Sequence, residues 1–160
     1  MIVVSDTTPL NYLIIIDRVD ILRTLYNEVV IPPAVLNEMQ APGTPPSVIA
    51  WMRNRPKWIT VERVAESTIT AEEIEQGEAE AISLAEELHA DLILLDDRRA
   101  REIAKTHNLR VVGTLGVMVE AADRGLIDLG AALAELKKTN FRFSQVVLNA
   151  ALERIREPKT

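Results

Sequence analysis

Residues 92–97 read Leu-Ile-Leu-Leu-Asp-Asp. An unbroken apolar run that stops at two acids is the pattern of a short strand covered on both faces, as in a parallel sheet packed between helices. Its carboxyl end would carry Asp96 and Asp97 into the start of the next helix. The N-terminus repeats the pattern. Ile2-Val3-Val4-Ser5 is a largely β-branched run that ends at Asp6, and Thr8-Pro9 marks a helix start, with Thr8 as N-cap and Pro9 at the first helical position.

Working outward, Glu28 to Ile31 reads as another strand, stopped by Pro32-Pro33. A hydrophobic stretch from Leu10 to Ile16 and a helix near Asp20 to Tyr26 precede it, and a short helix from Ala34 to Gln40 follows, closed by the loop breakers of residues 41–46. Ser47 to Asn54 looks helical, and Trp58 to Val64 alternates like a half-buried strand at a sheet edge. Thr70 to Glu73 forms a capping-box pattern. From Glu75 to His89 the spacing predicts a helix that keeps Glu78, Ala81, Ile82, Ala85 and Leu88 on one stripe. Arg110-Val111-Val112 is a further strand, and helices at Gly116 to Arg124, Leu129 to Lys138 and Ser144 to Arg156 complete the chain. Strands alternating with helices predict one α/β domain over residues 1–156 with a central, mostly parallel sheet flanked by helices, and a tail at 157–160. Ligands of such sheets bind beyond the carboxyl ends of the strands, near a reversal of strand order, and Asp6 and Asp96 both stand at strand carboxyl ends.

Composition narrows the function. The 160 residues suit a single domain, and 48% hydrophobic with 26% charged residues are globular values. The run from Leu13 to Ile16 is far short of the roughly 20 apolar residues that span a bilayer, and no signal-peptide flanks surround it, so a cytoplasmic protein is expected. Cysteine is absent, which removes disulfides and thiolate chemistry, and His89 and His107 lack metal-ligand spacing, which makes zinc a poor fit. A net charge of -6 argues against a strongly basic nucleic-acid surface while leaving room for a local basic patch.

The acids carry the chemical signal, because carboxylates brought together repel one another and resist desolvation unless a cation neutralises them or one keeps its proton. Asp6 could be a helix cap, but Thr8 is the better-placed candidate for that post. Of the pair before the third-quarter helix, Asp96 stands nearer the strand end and reads as a ligand, whereas Asp97 is either the cap or a second ligand. Glu78 lies on the apolar stripe, yet the positive end of the helix dipole would also favour it there. Glu38, in a short surface helix, is ordinary from spacing alone, and Glu80 falls nearly opposite Glu78 on the solvated face.

Four stretches together, VVSDTTPLNYL at the start, IPPAVLNEM, GEAEAISLA and LILLDDRRAR, resemble the PIN-domain superfamily, in particular the branch related to VapC-type toxins of prokaryotic toxin-antitoxin systems. The resemblance covers most of the chain and rests on the order and spacing of short matches. It implies a PIN-like fold, an acidic site of Asp6, Glu38, Glu78 and Asp96 with Asp97 as a further metal ligand, and Thr8 as a hydrogen-bonding neighbour. The chain departs from the commonest pattern in using glutamate at position 78 and in doubling the acid at Asp96-Asp97. The implied activity is ribonuclease, the implied partners are an RNA substrate, a small antitoxin protein and a second copy of the chain, and no membrane is involved.

Hard carboxylate oxygens without soft ligands suit Mg2+ or Mn2+. Held by Asp6, Glu78, Asp96 and Asp97, such an ion would serve phosphodiester hydrolysis by water, with Glu38 completing the acidic pocket. Arg98, Arg101 and Lys105 form a basic stripe on the helix after Asp96 that could bind phosphates, although a solvated face paired with Glu102 explains them equally well. Trp51 and Trp58 among Arg53, Arg55 and Lys57 are weak grounds for base stacking. Gly113-Thr114-Leu115-Gly116 lacks a P-loop lysine and reads as a turn into a helix, and the apolar side of the last helix, Val147, Leu148, Ala151, Leu152 and Ile155, reads as core with room for a dimer or antitoxin contact. Two rivals share these features: a PIN-like module that binds RNA or protein without cutting, and a metal-dependent phosphatase of small molecules.

Overall fold

A computed structural model of the chain describes residues 1–67, 69 and 74–156. The capping-box pattern at 70–73, the tail 157–160 and the side chain of Ile155 lie outside them. Among the described residues five short strands form one sheet in the order β3-β2-β1-β4-β5, with β1 at Val3–Ser5, β2 at Val29–Ile31, β3 at Ile59–Val61, β4 at Leu92–Leu94 and β5 at Val111–Val112. Every pairing is parallel, so the sheet expected to be mostly parallel is wholly so. The alternating segment around Trp58 supplies the edge strand β3, as its polar positions suggested.

The apolar runs are continuous because both faces are covered. Val3, Leu92, Leu94 and Val112 face one core, shared with Leu10, Leu13, Leu22 and Met118 of helices α1 (Thr7–Ile15), α2 (Ile21–Tyr26) and α7 (Thr114–Asp123). Val4, Ile93 and Val111 face the other, filled by Ala81, Ile82 and Ala85 of α5 (Gln76–Glu87) and by Ala100 and Ala104 of α6 (Arg98–Thr106). Small residues on α5 and α6 let these helices sit close to the sheet, while a large side chain such as Ile82 or Leu94, fully buried, contributes about 1.5–3 kcal/mol. Between β2 and β3 lie α3 (Pro33–Glu38) and α4 (Pro46–Arg53), and after α7 come α8 (Leu129–Lys137) and α9 (Gln145–Arg156), the last packed on α7. No helix of the described residues is long and apolar enough to cross a membrane.

Chain order explains where a site can form. From β1 the chain builds outward through β2 and β3, then returns to the other side of β1 to lay down β4 and β5. The reversal falls between β1 and β4, which are paired from Val3 with Leu92 to Ser5 with Leu94. Beyond it the loops diverge and leave a crevice. Asp6 and Asp96 follow these two strands, and the Asp6 amide donates to the Leu94 carbonyl at 3.0 Å, tying one acid's backbone to the end of the neighbouring strand.

Candidate active site

Asp6 occupies the N-cap position of α1, two residues earlier than the Thr8 cap expected from sequence; Thr7 and Thr8 are already helical and Pro9 sits at the third helical position, where its missing N–H costs nothing. Its side chain makes no capping hydrogen bond. The carboxylate is only 3% exposed, and Oδ1 has no hydrogen-bond partner. Burial raises its pKa from 3.8 to about 7; the Thr7 amide pulls against this, and the charges of Glu78, Glu38 and Asp96 add to it. A buried acceptor left without a donor costs about 1–3 kcal/mol, so this group is held at a price in stability that packing alone does not explain.

Asp96 and Asp97 divide their roles. Asp97 is the N-cap of α6, accepting the Ala100 amide at 2.9 Å, and is exposed. Asp96 points to the neighbouring strand end, where its Oδ1 accepts the Thr114 amide at 2.9 Å and its Oδ2 accepts the Thr114 hydroxyl at 2.6 Å. Burial pushes its pKa up, while those two bonds and the Arg101 charge pull it down. Gly113 makes this approach possible, since a β-carbon there would lie 2.7 Å from Nη1 of Arg101 and 2.8 Å from Oδ1 of Asp96.

Glu78 is buried at the third position of α5 and accepts the Glu75 amide at 3.0 Å. It therefore satisfies one of the free donors of its own helix start, and the dipole there favours its charge. Even so, burial raises its pKa from 4.5 to about 7, with Asp97, Glu75 and Glu38 adding repulsion. Glu38 ends α3 and accepts the Thr7 hydroxyl at 2.7 Å. Its carboxylate lies against Gly77, at the start of α5, where any β-carbon would overlap it. Glu80 is half-buried; its Oε1 accepts the Ala34 amide at 3.4 Å and so ties α5 to the start of α3, a link its expected solvated position did not suggest.

Two cavities open on this end of the sheet. One of about 610 Å3 is lined by Thr8, Glu75, Glu78, Asp96, Asp97 and Arg99, and the other, of about 430 Å3, by Thr7, Asn11, Glu38 and the 39–45 segment. Asp6 feels charges from both sets. Among the described residues no three acidic or histidine side chains stand close enough to enclose an ion as placed. The basic stripe borders a third cavity: Arg98 is exposed and pairs with Glu102 at 3.7 Å, Arg101 is half-buried beside Asp96, and Lys105 is exposed. His107 contacts Glu86, and Trp51 packs edge-on to Trp58 with centroids 5.9 Å apart against the core.

Thr114, Thr7, Glu75 and Gly77 contribute contacts that no sequence motif singled out. Thr114 had one signal, its place at the first position of a helix that begins two residues after a strand end, beside the strand-to-helix junctions that carry Asp6 and Asp96.

The PIN-domain family matches residues 2–157. Among solved structures, a PilT N-terminus domain protein from the hyperthermophilic archaeon Sulfolobus solfataricus P2 is similar in fold, with a TM-score of 0.52 at 17% identity, covering 90% of this chain and 100% of that one. No curated protein matches the chain.

Proposed function

Because the chain belongs to the PIN-domain family, we propose that it is a divalent-metal-dependent endoribonuclease and that Asp6, Glu38, Glu78 and Asp96 are its catalytic acids. The observation that carries this reading is the Asp6 carboxylate, buried at the strand reversal with one oxygen unpartnered and three other acids raising its pKa. The donor set is oxygen only and its central carboxylate is buried with one oxygen unpartnered, which is the chemistry that suits a hard cation. Asp6, Glu78 and Asp96 would hold Mg2+ or Mn2+, and Asp97 would supply a further oxygen from its cap position.

When bound, the ion supplies positive charge beside the phosphate and makes a water acidic enough to attack. The chain's own groups set the stage. Thr114 fixes the Asp96 carboxylate by two hydrogen bonds, so that acid keeps its aim. Thr7 and the gap at Gly77 fix Glu38 near Asp6. Asp6 and Glu78, whose pKa values burial raises to about 7, would have to be ionised to hold a cation, so cation binding would weaken as pH falls. Arg98, Arg101 and Lys105, with Thr8 at the cleft wall, are assigned to RNA phosphates. No side chain forms a covalent bond to substrate. The same reading makes the chain the toxin of a toxin-antitoxin pair, with a small antitoxin protein and a second copy of itself as partners.

The test is cleavage of single-stranded RNA by wild type and Asp6→Asn at matched folded concentration. The variant is expected to lose about 100-fold or more in rate, the scale for removing one preorganised electrostatic element, while retaining RNA binding. Equal rates would refute the assignment.

A further inference from the structure

Beside the acidic cleft, and sharing Asp96 with it, lies a groove of about 560 Å3 between α6, α7 and α9. Its two walls differ. One carries the cations of α6; the other is apolar, made by Phe141, Phe143, Val146 and Val147. Val146 is 77% exposed and Val147 51%, so α9 turns apolar side chains outward here, and Val147 does so although the sequence placed it on a core-facing stripe. The two rings stand 6.2 Å apart, and Tyr12 braces Phe141 edge-on at 4.9 Å. Lys105 and Arg142 have no ion-pair partner among the described residues, whereas Arg98 is paired with Glu102.

We propose that this groove binds the segment of single-stranded RNA next to the scissile phosphate, with bases against Phe141, Phe143, Val146 and Val147 and phosphates on Lys105 and Arg142. The proposal rests on the ribonuclease reading and adds to it a site for the bases. Charge decides the occupant. Unpaired cations beside an apolar wall suit a chain that is anionic along its backbone and flat and apolar in its bases, and the groove opens directly at Asp96. Bases in a duplex stack on one another and hide their faces, so only an unpaired strand can use the apolar wall. Selection for single strands then arises at this groove and not at the acids.

Binding of a labelled 12-nucleotide RNA to the full chain in EDTA, followed by fluorescence anisotropy, separates the two walls. The probes are the single strand, the same strand annealed to its complement, and a strand with abasic residues. Val146→Gln and Phe143→Leu, which change no charge, are expected to weaken the intact single strand about tenfold, within the range for loss of a stacking contact, and to leave the abasic strand within about twofold. Val146 is exposed enough that its replacement leaves the fold intact, which covers the case in which Phe143→Leu misfolds. Arg142→Glu is expected to weaken both strands and to lower the salt slope by about 1. Duplex bound as tightly as single strand, equal losses for intact and abasic strands, or groove variants that bind like wild type would overturn the proposal. So would a change from dimer to monomer on Val146→Gln in sedimentation with RNA binding unchanged, which would make the groove an interface between copies. Base-dependent binding without any cleavage in Mn2+ would support the groove while refuting the nuclease reading.

Discussion

Replacing Asp6 by Asn should stabilise the ion-free protein, and by an amount that depends on pH. The Asp6 pKa rises from 3.8 to about 7 on folding, a difference of about 3 units. At 1.36 kcal/mol per unit, keeping it ionised in the folded state costs on the order of 4 kcal/mol. The sign follows from the direction of the shift. The folded state binds the proton more tightly, so the group's contribution is fully favourable below about pH 4, is lost as pH rises toward 7, and stays lost above that. Asn has nearly the same shape and carries no charge, and the Asp6 side chain makes no capping hydrogen bond that could be lost, so the substitution removes the penalty without disturbing α1. At about 2–4 °C per kcal/mol for a chain of this size, Asp6→Asn should melt roughly 10 °C above wild type at pH 8 in EDTA, with the gap closing toward pH 4. Calorimetry across that range measures it. A gap independent of pH, or a variant less stable than wild type at pH 8, would show that Asp6 is not the strained acid described above.

Three further outcomes follow from the same geometry. Mg2+ or Mn2+ should raise the wild-type melting temperature, because a cation binds the folded acids selectively, and the rise should vanish in Asp6→Asn with Asp96→Asn; equal rises in calorimetry would remove the site. Gly77→Ala should push the Glu38 carboxylate, the mobile end of its side chain, off the Thr7 hydroxyl, and a gain of about 1 kcal/mol in helix propensity should offset the lost bond so that the urea midpoint changes little; a loss of about 3 kcal/mol or more would mean that Glu38 cannot move aside. Thr114→Val keeps shape and the amide bond but deletes the hydroxyl donor to Asp96, for a loss of about 1.5–3 kcal/mol at pH 8 that shrinks in acid; an unchanged denaturation midpoint would mean that the bond is dispensable.

The sequence disclosed those features that repeat locally. Runs such as Val3-Val4 and Leu92 to Leu94 marked buried strands, and acids at their carboxyl ends marked the crevice, because the alternation of strands and helices leaves few arrangements of a parallel sheet. Glu78 was visible as an acid on an apolar stripe. What stayed hidden depends on contacts between distant segments. Thr114 meets Asp96 across 18 residues, and Glu38 meets Thr7 across 31, and neither pairing leaves a periodic trace. Gly77 looks like a weak helix residue until the Glu38 carboxylate is seen filling the space of its missing side chain. The cap at Asp6 was misplaced by two residues because Thr8-Pro9 is a good local start signal, and the pairing of β1 with β4 sets the turn earlier. In α9 the apolar stripe was read correctly as a pattern, but Val147 lies in the open because the helix packs on α7 by another part of its surface.

The chemistry of the cut ends distinguishes attack by water at a metal-holding acidic site from attack by the RNA's own 2′-hydroxyl. Single-stranded RNA is incubated with the wild-type chain in 18O-labelled water, with Mn2+ or with EDTA, and the products are weighed by mass spectrometry. Attack by water places one labelled oxygen on the new phosphate and leaves no 2′,3′-cyclic phosphate, because the RNA 2′-hydroxyl takes no part. A metal-dependent hydrolase gives labelled, non-cyclic ends with Mn2+ and none in EDTA. Cyclic phosphate ends, or cutting that persists in EDTA, would contradict the proposed function.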